Sequence, residues 1–137
     1  MEYRIDDQQL NAAAFIDFAN KVWPGKYDED RTAAALSKTL NITAYDGETL
    51  VGCLRILTDG YFFGTITEML VHPEYQRQGI GSRLMGEAHA LAGGKRDIAV
   101  YLVANEKAIP FYEKLGMKKA EDVMQYNHID WTPFTVQ

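Results

Sequence analysis

A glycine-punctuated turn between an apolar strand and an amphipathic helix constrains the fold of this chain more than any other feature. The turn is residues 76–81, Gln-Arg-Gln-Gly-Ile-Gly, and it follows an apolar run at 69–71 and the strand-ending Pro73. Glycine lets backbone N–H groups approach a ligand closely, and a helix N-terminus adds unsatisfied donors and a positive dipole end. The pattern therefore predicts an anion site of the kind that binds a pyrophosphate.

Two common nucleotide-binding motifs do not fit this turn. A P-loop ends in Gly-Lys-Ser/Thr, and no Lys follows the glycines here; a Rossmann turn needs a third glycine where Leu84 stands. Through Gln76, Gly79 and Gly81 the turn instead resembles Gln/Arg-x-x-Gly-x-Gly/Ala, the pyrophosphate-binding signature of the GNAT N-acetyltransferases. From the residues alone, a glycine-rich turn that only starts a helix is the alternative interpretation.

Composition and charge narrow the class of protein. The chain has 137 residues, 47% of them hydrophobic and 24% charged, which is typical of one globular domain. No apolar run approaches the roughly 18–20 residues that span a bilayer, and the first residues lack a signal-peptide core, so we expect a cytoplasmic protein without membrane partners. The net charge of −5 argues against a nucleic-acid surface and favours a cationic substrate.

Cysteine and histidine usage predicts neither a disulfide nor a metal site. The single Cys53 lies in a strand-like run and is expected to pack in the core rather than act as a nucleophile. The three histidines, His72, His89 and His128, are isolated and lack metal-ligand spacing. His89 is expected on a helix surface, and His72 as a solvated turn residue, with a proton relay as its alternative.

The order of predicted elements indicates an α+β fold of three layers around a mixed sheet. Apolar periodicity, caps and turn residues predict strands at 3–5, 41–45, 49–57, 61–71, 98–104 and 118–128. They predict helices from an Asp7 N-cap to 22–23, over 31–40, from the glycine turn to Gly93-Gly94, and over 105–115. The apolar run at 98–104 is expected to be covered on both faces.

A second motif lies downstream of the glycine turn. Residues 105–117, Asn-Glu-Lys-Ala-Ile-Pro-Phe-Tyr-Glu-Lys-Leu-Gly-Met, resemble the GNAT segment Asn-x-x-Ala-x-x-Phe/Leu-Tyr-x-x-x-Gly-Phe. Because Pro110 disfavours a helix interior, the regular helix should begin just before it. With both motifs in order, the chain is similar to GNAT N-acetyltransferases over nearly its whole length. The resemblance implies a single GNAT domain over 1–137, with a mostly antiparallel central sheet splayed at a bulge.

The resemblance implies acetyl transfer from acetyl-CoA to an amine, and it assigns residues to that reaction. The backbone at Met69, Leu70 and Val71 would pair with the pantetheine arm, and an N–H near Leu70 would polarise the thioester carbonyl. The signature, which begins at Gln76, would bind pyrophosphate through Arg77, Gln78, Gly79, Ile80, Gly81 and Ser82, with side-chain contacts from Arg77, Gln78 and Arg83. Asn105 would bind the pantetheine arm, and Tyr112 would protonate the departing thiolate; from the residues alone, Tyr112 could equally be a packed aromatic.

A general base is harder to assign. Some family members use a Glu on the strand before Asn105, but no acid stands there in this chain. Glu68, next to Met69, is the best substitute, and its alternatives are an exposed strand residue or a partner for an arginine. For the acceptor we expect the aromatic residues Trp23, Tyr27, Tyr61, Phe62 and Phe63 with the acids at 28–30, or else core aromatics and a helix cap.

Three functions remain open from the sequence. The first is acetylation of a primary amine on a small molecule by direct attack in a ternary complex. The second is acetylation of protein N-termini or lysines, and the third is a non-catalytic acyl-CoA-binding regulatory module. The aromatic tail at 131–134 could pair with a partner chain, so a homodimer is also expected.

Overall fold

A five-stranded mixed sheet forms the centre of the molecule. The computed structural model describes residues 1–92 and 99–126. Its strands are β1 (Glu2–Arg4), β2 (Leu40–Asp46), β3 (Thr49–Thr58), β4 (Phe63–Val71) and β5 (Ala99–Leu102), in that spatial order. All neighbours are antiparallel except β4 and β5, which run parallel. The predicted α+β fold with a mostly antiparallel sheet is confirmed.

Helices cover the sheet on both faces, which gives the predicted three layers. Helices α1 (Ala12–Val22) and α2 (Glu29–Lys38) pack on one face, and α3 (Ile80–Leu91) packs on the other. A short 3-10 turn at Glu106–Ala108 leads into α4 (Ile109–Lys114), with Pro110 in its first turn as expected. None of the helices in these described ranges is long and apolar enough to cross a membrane.

Each face of the sheet has its own apolar cluster. The α3 face contains Ile42, Leu54 and Ile56 of the strands packed with Ile80 and Leu84, all nearly or fully buried. The α1–α2 face contains buried apolar side chains from both helices and from the strands, among them Phe15, Phe18, Leu36, Cys53 and Leu70. Alternation along β3 explains the division, because Cys53 and Leu54 are neighbours whose side chains must point to opposite faces.

A β-bulge in β4 opens the sheet between β4 and β5. The register of β3 against β4 shifts between Arg55, which pairs with Glu68, and Ile56, which pairs with Ile66, so Thr67 is the extra residue. The parallel pairing with β5 ends at the same place, at Ile66 and Leu102. From Thr67 to Val71, β4 therefore has no β5 partner. We call this opening the notch, and it is the splay expected from the sequence.

Several element predictions were wrong in their details. The N-cap of α1 is Asn11, whose side chain accepts from the N–H of Ala14 at 2.8 Å, and not Asp7. Asp7 is instead buried, and its Oδ2 accepts from Thr43 Oγ1 at 2.8 Å and from Tyr45 OH at 3.1 Å. A buried carboxylate needs such partners, and this requirement outweighs its use as a cap.

The C-terminal part of the prediction also needs correction. No strand forms over 118–126, the described part of the predicted strand at 118–128. The described residues leave β5 partly uncovered, since Tyr101 is 39% exposed and Val103, just beyond the strand, is 85% exposed. Gly93 and Gly94, Ile98, His128 and the aromatic tail at 131–134 lie outside the described residues.

Candidate active site

The glycine turn presents uncapped backbone donors at the start of α3. Gly79 has the left-handed conformation with φ of 85°, and no side chain caps the helix. The first intrahelical bond runs from the N–H of Arg83 to the carbonyl of Gly79 at 3.1 Å. The N–H groups of Ile80, Gly81 and Ser82 therefore have no acceptor within the helix. They are suited to an anion, as the sequence predicts.

Three side chains fix the segment that leads into this turn. Gln76 Nε2 donates to the carbonyl of Val71 at 3.2 Å, and His72 Nδ1 accepts from the N–H of Glu74 at 3.1 Å. Tyr75 OH donates to Asp46 Oδ2 at 2.7 Å, which ties the segment to the β2–β3 hairpin. These bonds hold the turn in place before any ligand arrives. They also give His72 a capping role within the fold.

The arginines near the turn differ in what they contact. Arg83 Nε is 2.9 Å from Glu87 Oε1, and its guanidinium lies 4.5 Å from the Tyr3 ring centre, so this side chain is engaged along the helix surface. Arg77 is exposed and has a positive φ of 64°. Of the two, Arg77 is therefore the better placed to reach a phosphate.

The two sequence motifs meet at Gly81. A Cβ at this glycine would lie 3.3 Å from Met69 Cε and 3.3 Å from Phe111 Cζ, which is tighter than ordinary packing. Phe111 in turn packs edge-to-face on Tyr112 of α4, with ring centres 5.1 Å apart. A small residue is favoured at this position because strand, helix and second motif converge there. The convergence brings Tyr112 to the same face of the sheet as the glycine turn.

The register of β4 determines which backbone groups face the notch. The N–H of His72 donates to the carbonyl of Val51 at 2.8 Å, so hydrogen-bonded pairs alternate from there along β3 and β4. By this alternation the N–H of Leu70 faces β3, and the N–H groups of Met69 and Val71 face the notch. By this alternation, the free N–H that the sequence predicts near Leu70 would belong to Met69 or Val71, its direct neighbours.

Glu68 lies beside the bulge, on the opposite face from the glycine turn. It is two residues from Leu70 on β4 and shares the α1–α2 face with it. Arg55 Nε donates to Glu68 Oε1, and the two side chains are 15% and 26% exposed. An arginine partner was one of the alternatives for Glu68.

Tyr27 completes the surroundings of Glu68. Burial raises the pKa of Tyr27, and the negative charge of Glu68 raises it further, which shows that the two groups are close. Tyr27 OH donates to the carbonyl of Trp23 at 2.6 Å, so the loop between α1 and α2 lies on this side of the notch. Of the expected acceptor residues, Trp23 and Tyr27 thus belong to this region.

Of the remaining acceptor candidates, the aromatic residues lie at the far end of β4. Phe63 begins β4, and at about 3.3 Å per residue it is roughly 16 Å from Glu68. Asp59 Oδ1 accepts from the N–H groups of Tyr61, Phe62 and Phe63 at 2.8–3.2 Å, and these bonds lower the pKa of Asp59. The acids at 28–30 form the start of α2, where Asp28 Oδ1 caps the N–H of Arg31 at 2.8 Å. Capping was their alternative role.

Tyr112 and Asn105 occupy the end of β5 and the helix that follows it. Tyr112 is half-buried, and burial raises the pKa of its phenol above the ordinary value of 10.0. Asn105 Oδ1 accepts from the N–H of Lys107 at 3.0 Å and caps the short 3-10 turn. The side-chain nitrogen of Asn105 is the part that could reach a ligand.

A cavity lies along β5 and does not coincide with the glycine turn. It has a volume of about 780 Å³, and it is bounded by β5, by α4 including Tyr112, and by the segment at 117–124. Neither the turn nor Glu68 lines it. The backbone donors at the start of α3 thus lie outside this cavity, and one of them, Ser82, lines a second cavity of about 440 Å³.

Arg55 was not predicted from the sequence; it contacts Glu68 from the neighbouring strand. The only signal was a charged residue within the apolar run of β3, which the hairpin register could have matched with Glu68.

The Cys53 prediction is confirmed, since the thiol is buried and burial raises its pKa. His89 is exposed on α3 as expected. Within the described ranges, no group of three or more His, Cys, Asp or Glu could hold a metal ion.

Comparison with known proteins settles the family. The sequence model of the acetyltransferase (GNAT) family matches residues 8–117, which include the glycine turn, the notch and Tyr112. The chain belongs to the GNAT acetyltransferase family. A GNAT family acetyltransferase from Streptococcus pneumoniae is similar in structure, with a TM-score of 0.74 and 26% identity over 94% of this chain and 98% of that one.

Two curated N-acetyltransferases match about half of this chain. GCN5-related N-acetyltransferase 2, chloroplastic, from Arabidopsis thaliana is 40% identical over 50% of this chain and 27% of its own length. Glucosamine 6-phosphate N-acetyltransferase from Trypanosoma brucei brucei is 35% identical over 48% of this chain and 45% of its own length. The chain therefore spans less than half the length of these curated relatives.

Proposed function

We propose that this GNAT protein transfers an acetyl group from acetyl-CoA to a primary amine of a small molecule, by direct attack in a ternary complex. The observation that carries the proposal is the notch. It joins a face with uncapped backbone donors, at Ile80–Ser82, to a face with a carboxylate, Glu68. A donor and an acceptor could thus approach one reaction centre from opposite faces of the sheet.

The residues around the notch fit acetyl-CoA. Donors at the start of α3 suit its pyrophosphate, with Arg77, Gln78 and Gly79 leading into them. The edge of β4 that faces the notch offers Met69 and Val71 as partners for the amide groups of the pantetheine arm. The side-chain nitrogen of Asn105 could bind the same arm. When bound, acetyl-CoA supplies an acyl thioester, the activated form of the acetyl group.

Two protein groups are proposed to act on the thioester: one on its carbonyl oxygen and one on its sulfur. The N–H of Met69 polarises the thioester carbonyl, which replaces the donor expected near Leu70. The amine nitrogen forms a bond to the carbonyl carbon as the carbon–sulfur bond breaks, and Tyr112 gives the phenol proton to the sulfur. Burial, which raises the pKa of Tyr112, keeps that proton in place at neutral pH. The new amide nitrogen then loses its extra proton to water, and Tyr112 recovers a proton from water.

Glu68 is proposed to accept the proton that the acceptor must lose. A primary alkylamine is mostly protonated at neutral pH and cannot attack until it is neutral. Glu68 lies at the bulge on the α1–α2 face, where it could take the proton directly or through a water and pass it to solvent. Its ion pair with Arg55 keeps it oriented. The aromatic Tyr27 beside it suits an amine with an apolar body.

The small-molecule class is favoured over the alternatives by one relative. The Trypanosoma brucei relative acts on glucosamine 6-phosphate by its name, and that acceptor is a small primary amine. Protein N-termini or lysines are the second candidate class, and a non-catalytic acyl-CoA-binding module is the third. A cytoplasmic location and a homodimer remain predictions. A single domain over 1–137 is also a prediction, since the family match covers 8–117.

A thioester-release assay over a panel of amines tests this proposal. The panel contains glucosamine 6-phosphate, simple alkylamines, arylamines, a peptide with a free N-terminus and a lysine peptide. We expect release of CoA thiol that depends on a small amine. Release only with peptides would favour the second class, and CoA binding without release from any amine would favour the third.

Glu68→Gln is the variant that tests the proposed base in the same assay. The side chain keeps its size and loses its charge. We expect kcat/KM to fall by roughly 10²–10⁴ for an alkylamine, the range of general-base catalysis, and to change little for an arylamine, which is already neutral. Equal losses for both classes would show that Glu68 positions the acceptor or supports the bulge instead.

A further inference from the structure

Arg55 contacts the candidate centre in two ways. Its side chain reaches across from β3, donates through Nε to Glu68 Oε1, and is only 15% exposed. Its backbone carbonyl accepts a hydrogen bond from Oγ1 of Thr67, the bulge residue, at 3.3 Å. One residue of the neighbouring strand is therefore bonded both to the bulge that opens the notch and to the carboxylate beside it.

The Arg55 side chain is also held from the helix side. Its guanidinium carbon lies 5.6 Å from the ring centre of Phe15 on α1, within the range of a cation–π contact. Phe15 itself is buried in the apolar cluster with Cys53 and Leu70. The guanidinium thus lies between a fixed aromatic ring and Glu68, so its own position is restricted.

We propose that Arg55 is a positioning residue for acetyl transfer, which holds the Glu68 carboxylate at the notch so that it meets the acceptor amine. The inference rests on the proposed function. A free glutamate side chain samples several rotamers, and a base that is misplaced by about 1 Å can lose roughly 10²-fold in rate. Arg55 removes that freedom. It does not contact the reacting atoms, and every effect of its side chain on the reaction passes through Glu68.

Two isomeric amines separate this role from a merely structural one. 2-Phenylethylamine is protonated at neutral pH and must lose a proton before it attacks, whereas 4-ethylaniline is already neutral. For Arg55→Met, which keeps the stem that packs near Phe15, we expect kcat with 2-phenylethylamine to fall roughly 10–100-fold. The KM for acetyl-CoA and the rate with 4-ethylaniline should stay within about twofold. Arg55→Lys keeps a charge and should recover part of the loss.

A double-mutant cycle provides the matched control. In a Glu68→Gln background, Arg55→Met should have no further effect, because the group that it positions is already inactive. The same fold loss in both backgrounds would overturn the proposal, as would equal slowing of the two isomers. In the double variant neither the Arg55 nor the Glu68 charge is left half-buried without its partner. It can therefore be compared with Glu68→Gln even if Arg55→Met alone is unstable.

A structural measurement decides the question even if neither isomer is a substrate. A crystal structure of the wild type should show Glu68 in one rotamer. A crystal structure of Arg55→Met should show it in several. The same single rotamer in both would overturn the positioning role. A wild type that acetylates no amine of the panel would instead overturn the proposed function, so the two failures are distinguishable.

Discussion

At the scale of single residues, burial raises the pKa of two side chains, Cys53 and Tyr112, with different consequences. It raises the pKa of the Cys53 thiol and so keeps that sulfur un-ionised and inert within the core. It also raises the pKa of the Tyr112 phenol, but there the result is a proton that stays available beside the notch. The same physical effect thus makes one side chain structural and the other a candidate acid.

Tyr112→Phe tests the candidate acid. The ring keeps its packing on Phe111 while the proton is lost, so stability and CoA affinity should change little. We expect kcat to fall by roughly 10²–10⁴, the range for a lost general acid. Steady-state kinetics beside a CoA titration measure both quantities. A kcat within about threefold of the wild type, with chemistry limiting the rate, would reduce Tyr112 to a packing residue.

The pH dependence of the wild type provides a further check on Tyr112. The protonated phenol is the active form, and burial raises its pKa above 10.0. Activity that depends on Tyr112 should therefore persist through neutral and mildly alkaline pH and decline only above 10. An alkaline limb near pH 8 that disappears in Tyr112→Phe would contradict this, because it would require a lowered pKa.

At the scale of elements, the strand–turn–helix unit was predictable and the surroundings of Glu68 were not. Gly79, Gly81 and the periodicity of α3 are local signals, and each was found in the structure as expected. Asp7 was misassigned because the local sequence fits a helix cap as well as a buried hydrogen-bond acceptor. Only the fold shows that Thr43 and Tyr45 are its neighbours. Arg55 was missed for the same reason, since its contact with Glu68 depends on the register of a bulged pair.

Gly79→Glu tests the anion site at the start of α3. Gly79 has φ of 85° and open space around it, so the new side chain costs about 1–2 kcal/mol in backbone strain and places a carboxylate beside the donors. We expect CoA affinity in calorimetry to fall at least about tenfold.

Gly60→Glu is the matched control for that variant. Gly60 has a similar φ of 77° with nothing nearby, but it lies in the β3–β4 turn, at the other end of β4. It should lose similar stability and keep the CoA affinity of the wild type. Equal loss of affinity in both variants would show that strain, and not the anion site, is responsible.

At the scale of the whole molecule, the two apolar clusters on either face of the sheet hold the site together. Leu54 is fully buried in the cluster on the α3 face, whereas Leu57, on the same strand, is 47% exposed. We expect Leu54→Ala to lower the free energy of unfolding by about 2–5 kcal/mol and Leu57→Ala by less than about 1 kcal/mol. Denaturant titration measures both. Similar losses would contradict the placement of the core.

A crystal structure with bound CoA would show whether an acetyl donor and an acceptor can meet at the notch from opposite faces of the sheet. We expect the pyrophosphate to accept hydrogen bonds from backbone N–H groups between Gln78 and Ser82, with the sulfur beside Tyr112 and Glu68 across the notch. CoA bound in the cavity of about 780 Å³ along β5, with the glycine turn free, would contradict it.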